Sequence, residues 1–393
     1  MPGKLLVQGW RFIHHSYALV AQAHCLSLRR YADIALRFED LPFPTTAWQQ
    51  SRGIFLASDE EAIAALPPPE TGFVPDVTLQ FKGDFSPPPA GRKFTFDTPE
   101  VRALTPEARR GFASGAEVPE SVHVLTPSRW TAQGYLRFGI PAERVHVVPH
   151  GVDPRLLRPQ EARRLRVRRE LGLTDAFVIM SVGAMTGNKG IDLLLRAFAR
   201  VAEGAPDARL VLKGADDLYA SREFLRATLD ALPAAERALV TRRLAYIGER
   251  FSARQMAGFL HAADLYVAPY LAEGFNLPVL EAAACGVPVI CTGGGSTDDF
   301  TDPSFAWRIR SQPIQMRTQW GGVGDGLLPD LDHLTELLRS ALAQREQIRA
   351  MGAAGAAWIA QRFTWDAVTD RLVRELFPDA RAGGELGPRP SPG

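Results

Sequence analysis

The chain has 393 residues, with 45 Lys and Arg against 44 Asp and Glu, and only three cysteines. That length accommodates two ordinary domains, and a net charge of +1 offers no global argument for nucleic acid as a partner. Cys25, Cys285 and Cys291 are too few and too scattered for a disulfide framework or a zinc site, and no apolar run approaches the length of a membrane span.

Residues 5–8 read as a first strand and residues 9–15 as the loop after it, with no signal-peptide layout ahead of them. Ser16 is a plausible N-cap for a helix to about Arg30, apolar at Leu19, Val20, Ala23 and Leu26. A loop between strand and helix lies at the carboxyl edge of a parallel sheet, where ligands bind. His14 and His15 are therefore candidates to face a cleft, against the alternative of two partly exposed loop histidines. A second strand starts within residues 31–35.

Residues 42–100 are rich in Pro and Gly, with short apolar pieces at 53–57, Val77–Phe81 and 93–96. Asp97, Thr98 and Glu100 then form a polar cluster at a strand end, suited to an acceptor hydroxyl; Thr98 reads equally well as the cap of a helix opened by Pro99. Val122–Thr126 is a strand, Ser128 starts a helix toward Phe138, and 145–148 is another strand. A turn at His150, Gly151 and Pro154 leads into a linker. Its Arg163, Arg164, Arg166, Arg168 and Arg169 read as the solvated face of a helix, with a membrane-surface or acidic-acceptor role as the lesser alternative.

The alternation restarts at Phe177–Val182, followed by a loop holding Gly183 and Lys189 and an amphipathic helix over 191–201. A strand at 208–212, a helix at 222–232 and a strand at Leu244–Ile247 follow. Ser252 and Gln255 form a capping box for a helix ending near His261. Leu265–Ala268 is the next strand, 271–277 a loop, Pro278 a helix opener, Gly286 a helix stop, and 287–291 a strand. Helices are expected at 334–351 and Trp365–Leu376. Strands and helices alternating at this spacing give an α/β protein with parallel, doubly wound sheets.

Within EGFNLPVLEAAACGVPVI, Glu273 lies just before the expected helix and Glu281 on its second turn. The loop between them offers backbone N–H groups at a helix N-terminus, a natural place for anionic or oxygen-rich ligands. The whole string resembles the donor-binding signature of retaining glycosyltransferases of the GT-B fold, particularly glycosyltransferase family 4. VLTPSRW and VHVVPHGVD resemble the end of that family's N-terminal domain, and FTWDAVTDRLVREL its terminal crossing helix.

The resemblance implies two Rossmann-like domains facing a central cleft. Residues 1–155 would bind the acceptor and 156–362 the nucleotide sugar; 363–378 would cross back, and 379–393 would be a disordered tail. It implies transfer of a sugar from a nucleotide-sugar donor to a hydroxyl of a glycan, lipid or small molecule, with retention and by a front-face route. No metal or other cofactor is expected, and Asp216–Asp217 and Asp298–Asp299 are taken as loop charges.

Carried over residue by residue, Glu273 meets the transferred sugar and Glu281 the ribose hydroxyls. Gly274, Phe275, Asn276 and Leu277 offer main-chain N–H groups; Lys189 supplies charge beside Gly183, and Lys213 is a second phosphate contact. His15 would close the site from the other domain, making Glu273, Lys189 and His15 the expected catalytic set. Two positions depart from the family pattern: Ala184 stands where an Arg is common, and Asn276 where Gly is usual. Ala184 keeps a nucleotide-sugar isomerase or hydrolase, or a catalytically weak scaffold, as alternatives. The expected setting is cytoplasmic polysaccharide biosynthesis, with peripheral contact at the inner membrane face left open.

Overall fold

The structure, a computed structural model, describes residues 3–43, 49–104, 108–318 and 322–378; the expected tail lies outside them. The first half comprises β1 (Gly3–Gly9), α1 (Ser16–Leu28), β2 (Ile34–Asp40), α2 (Ala57–Ala64), β3 (Val77–Phe81), β4 (Arg92–Phe96), β5 (Val122–Thr126), α3 (Arg129–Phe138) and β6 (Val145–Val147). The strands form a six-stranded sheet in the order β2-β1-β3-β4-β5-β6, every pairing parallel. β3 is buried at all five positions, its polar Thr78 and Gln80 included.

Two local expectations change in this half. His15, not Ser16, caps α1: its backbone is extended and its Nδ1 accepts the N–H of Tyr17 at 3.2 Å. The apolar piece at 53–57 leads into α2, where the Glu60 carboxylate accepts the Gly53 N–H at 2.6 Å and acidic residues favour a first helical turn. No helix opens at Pro99, since the Thr98 N–H and hydroxyl are both engaged by the Tyr17 hydroxyl at 3.1 Å.

The second half follows α4 (Glu161–Glu170). It contains β7 (Phe177–Val182), α5 (Ile191–Ala202), β8 (Ala208–Lys213), α6 (Ser221–Asp230), α7 (Ala234–Arg243), β9 (Leu244–Ile247), α8 (Ala253–His261), β10 (Leu265–Ala268), α9 (Leu277–Ala284), β11 (Val289–Thr292) and β12 (Ala306–Ile309). The sheet order β12-β11-β10-β7-β8-β9 reverses direction between β7 and β10. A switch point of this kind opens a crevice at the carboxyl ends of the strands. The Ser252–Gln255 capping box of α8 is present as read.

β12 leads into an antiparallel hairpin, β13 (Ser311–Thr318) with β14 (Gly322–Pro329), then α10 (Leu331–Ala343), α11 (Arg345–Arg362) and α12 (Trp365–Leu376). The hairpin is absent from the sequence reading because Gly322, Gly324 and Gly326 erase the alternation that marks a strand. The single helix expected over 334–351 is two, parted where Gln344 leaves the helical region. On α4, only part of the basic cluster is solvated. Four-residue spacing puts Arg164 and Arg168 on one face, where both pair with Asp264.

The chain passes between the two sheets twice, and the crossings are bound together. Val152 and Thr364 form a parallel bridge, with Val152 N–H to Phe363 C=O at 2.8 Å and Trp365 N–H to Val152 C=O at 3.1 Å. Gly151 is required by this approach, because a Cβ there would lie 2.6 Å from the Trp365 nitrogen. α12 then docks on α1 through His24–Thr369 at 2.8 Å, Ser27–Asp366 at 2.7 Å and Arg30–Asp366 at 2.9 Å.

Candidate active site

At the switch point, the loop after β7 meets the loop after β10. The Tyr266 hydroxyl holds β10 to the end of β7, 3.1 Å from both the N–H and C=O of Val182. Asn188 adds two ties: its C=O accepts the Leu271 N–H at 2.7 Å, and its Nδ2 donates to the Ala272 C=O at 3.0 Å. This frame places the Lys189 Nζ 2.8 Å from Glu273 Oε1, with side chains only 20% and 12% exposed. Burial pushes the Glu273 carboxyl above its usual range, with Lys189 opposing and Glu100 adding. Burial alone would depress the Lys189 ammonium, but Glu100 and Glu273 outweigh it and hold it charged.

Glu273 leads directly into the N-terminus of α9. Among the described residues, the backbone N–H groups of Gly274, Phe275 and Asn276 have no acceptor. Asn276 takes the left-handed conformation, φ 70°, which Asn tolerates better than most residues. Leu277 opens α9 and Pro278 occupies its second position. The Phe275 ring is core, 4.7 Å from both His150 and Phe300, so only its backbone faces the site. Gly274 also touches the other sheet's loops. Ser128 Oγ donates to its C=O at 2.6 Å, and a Cβ on Gly274 would lie 2.9 Å from the Thr98 Cβ.

Glu281 stands one turn deeper. No hydrogen bond or ion pair reaches its carboxylate among the described residues, and burial alone pushes its pKa up to about 7. Gly183 ends β7 with open space beside it. Lys213 ends β8 but is buried, its ammonium on the Gly214 C=O at 2.5 Å and 5.1 Å from the centre of the Phe251 ring. Burial lowers its pKa.

The first half supplies the opposing wall. His15, as the α1 cap, accepts at Nδ1, which puts the neutral ring's proton on Nε2, and burial lowers its pKa to about 4. His14 feels Arg250, Asp217 and Lys213 across the cleft, so His14 faces the second half. Asp97 is committed elsewhere: it accepts from the Tyr17 hydroxyl at 2.6 Å and the Tyr135 hydroxyl at 3.0 Å. Of the polar cluster at the end of β4, Glu100 is the carboxylate that reaches the site. Its Oε1 lies 3.5 Å from the Lys189 Nζ and its Oε2 accepts from Asn188 Nδ2 at 3.1 Å. Tyr219, in the loop after β8, lies near enough that Lys189 and Glu100 both act on its hydroxyl. A Tyr in that loop carries no sequence signal of its own.

No group of three or more His, Cys, Asp or Glu among the described residues is placed to hold a metal ion. The adjacent Asp pairs are occupied by cations: Asp216 by Arg222, Asp217 by Arg250, Asp298 by Arg308, and Asp299 by Arg129 across the cleft. No helix among the described residues is long and apolar enough to cross a membrane.

Residues 176–303, which contain Lys189, Glu273 and Glu281, match the family model for glycosyl transferases group 1. The second half of the chain is thus similar to the group 1 glycosyl transferases. Among its relatives, a D-inositol 3-phosphate glycosyltransferase from Segniliparus rotundus is 34% identical over 249 residues, 63% of this chain and 49% of that protein. A GDP-mannose-dependent alpha-(1-6)-phosphatidylinositol monomannoside mannosyltransferase from Mycolicibacterium smegmatis is 28% identical over 285 residues, 70% of this chain and 66% of that protein. The chain thus spans about half to two thirds of the length of these relatives. Among solved structures, Anabaena Alr3699/HepE in complex with UDP and glucose superposes with a TM-score of 0.64 at 13% identity, covering 95% of this chain and 99% of that one. A glycosyltransferase from Rickettsia africae gives 0.69 at 10%, covering 97% and 100%. These likenesses establish the GT-B fold.

Proposed function

We propose that this protein is a retaining glycosyltransferase that moves a hexose from a nucleotide-sugar donor to a hydroxyl acceptor. The observation that carries the reading is the Lys189–Glu273 pair at the switch point, beside unpaired backbone N–H groups at the start of α9. A diphosphate needs a cation and N–H donors, and both are there. Glu281, free of protein partners, accepts two vicinal ribose hydroxyls, and Glu273 accepts from the transferred sugar. Residues 156–362 would hold the donor and 1–155 the acceptor.

On the front-face route the anomeric C–O bond to the diphosphate breaks as the acceptor oxygen bonds to the same face. The acceptor's proton passes to the departing phosphate oxygen, so no strong protein base is needed. Lys189 and the α9 N-terminus stabilise the charge that develops on that oxygen, and the Nε2–H of neutral His15 is a donor from the opposite wall. Lys213 would join only by leaving the Gly214 carbonyl. The relatives name the first donors to try: GDP-mannose, from the Mycolicibacterium protein, and UDP-glucose, bound in a second HepE complex. Their inositol phosphate and phosphatidylinositol acceptors make a polyol or lipid headgroup the first acceptors to test. Three free, buried thiols fit a reducing cytoplasm, with peripheral membrane contact if the acceptor is a lipid.

A thermal-shift panel of nucleotide sugars tests the reading. A bound donor raises apparent stability by mass action, and about 2.7 kcal/mol is expected at a hundredfold excess over Kd. A panel in which no nucleotide sugar or nucleoside diphosphate shifts the melt, with calorimetry agreeing, refutes it. Donor hydrolysis without product from a broad acceptor panel would favour a hydrolase.

A further inference from the structure

Lys189 carries one positive charge and faces two carboxylates from different halves of the molecule. Glu273, on its own half, is 2.8 Å away and 12% exposed; Glu100, from the loop after β4, is 3.5 Å away and 45% exposed. Glu100 is also tethered by Asn188, whose Nδ2 is shared between Glu100 and the Ala272 carbonyl. A diphosphate at Lys189 would be the third anionic group on a single ammonium. Of the two carboxylates, Glu273 is fixed by the loop entering α9. Among the described residues, Glu100 is held by this ion pair and one amide, and nearly half of its side chain already meets solvent.

From this arrangement we infer that Glu100 is a counter-ligand of Lys189 which the donor's diphosphate must displace. Glu100 is thus a positioning residue that acts through Lys189: its carboxylate sets donor affinity. Its release frees a carboxylate on the acceptor side of the cleft at the moment the donor is seated. The inference rests on the proposed donor site. Neighbouring contacts would survive the exchange, because Trp130 Nε1 donates to the backbone carbonyl of Glu100 at 2.7 Å and holds the main chain while the side chain moves.

The test is calorimetric titration of UDP-glucose and GDP-mannose into wild type, Glu100→Gln, Glu100→Asp, Lys189→Gln and the Glu100→Gln/Lys189→Gln double variant. Removing one competing charge next to the ammonium should tighten the better-bound donor roughly three- to tenfold in Glu100→Gln. Glu100→Asp, which keeps the charge, should stay near wild type. In the Lys189→Gln background, changing Glu100 should leave affinity unchanged, a non-additivity that general loosening of the fold does not produce. Unchanged or weaker binding in Glu100→Gln, with wild type binding donor normally, overturns the inference and leaves the donor site standing. Absence of binding in both wild type and Glu100→Gln overturns both. Binding that emerges only in Glu100→Gln supports the inference most strongly.

Discussion

Glu273 and Glu281 belong to one loop-helix unit, yet their surroundings differ sharply. Glu273 is locked to Lys189, faces a second carboxylate, and precedes a glycine pressed against the other half of the molecule. Glu281 is buried without a partner and sits near neutrality in its protonation. The first is a member of a charge network spanning the cleft. The second is a lone acceptor whose ionisation is costly until a ligand satisfies it. Two identical side chains eight residues apart would thus divide catalysis from binding in the proposed reading, because what differs is the counter-charge.

The largest expected effect breaks the network side of that contrast. Glu273→Gln keeps the shape but removes the charge, and turnover should fall about 10²- to 10³-fold, while donor Kd shifts by at most a few-fold because the weakened sugar contact offsets the charge removed beside Lys189; kinetics paired with calorimetry separate the two. A collapse of donor affinity instead would erase the distinction. The Glu281 side is read through pH. Its carboxyl is raised from the usual 4.5 to about 7, so folding favours the protonated form. Below pH 4.5 both states are protonated and nothing is lost. As pH rises through 7 the native state bears the full cost of an ionised buried group, on the order of 3 kcal/mol. Glu281→Gln should therefore stabilise the protein above pH 7, with the gain fading below pH 4.5; denaturant melts at pH 5 and pH 8 decide this.

For binding, Glu281→Ala should weaken nucleotide-sugar affinity about ten- to a hundredfold with kcat nearly unchanged. Wild-type affinity should rise between pH 6 and pH 8, whereas Glu281→Gln should give a flat profile. Smallest is Gly274→Ala. The added methyl meets Thr98, so the two halves must part slightly and turnover should drop roughly fivefold. Recovery in Gly274→Ala/Thr98→Ser would confirm that the loss is steric.

The second half of the molecule was far more legible in the sequence than the first. β7, β9, β10 and α12 fall where apolar runs and caps put them, and Lys189 and Glu273 share one loop cluster as the motif implies. That legibility is physical: a strand buried on both faces reads as an unbroken apolar run, and a ligand loop at a helix start carries its own turn chemistry. The opposing wall is made of long-range contacts. Asp97, Thr98 and Glu100 read as one cluster suited to an acceptor hydroxyl, but Asp97 is held by Tyr17 and Tyr135, from distant segments. Glu100 reaches Lys189 because the fold carries it there, which its local sequence does not signal. The β13–β14 hairpin was hidden by its glycines, although its Asp325 pairs with Arg102 and Arg137 of the first half.

The doubled crossing at Val152 and Thr364 sets how such a cleft can move. A single tether would let one half swivel in any direction. Two straps joined side by side, with Gly151 pressed on Trp365, behave as the pin of a door. They leave bending about one axis and resist twist. Displacement about such a pin grows with distance from it, so His150 and Phe275, packed beside it, would move least. In the proposed cycle, groups near the pin would keep their geometry, while cross-cleft ion pairs such as Arg102–Asp325 would have to break for the halves to part.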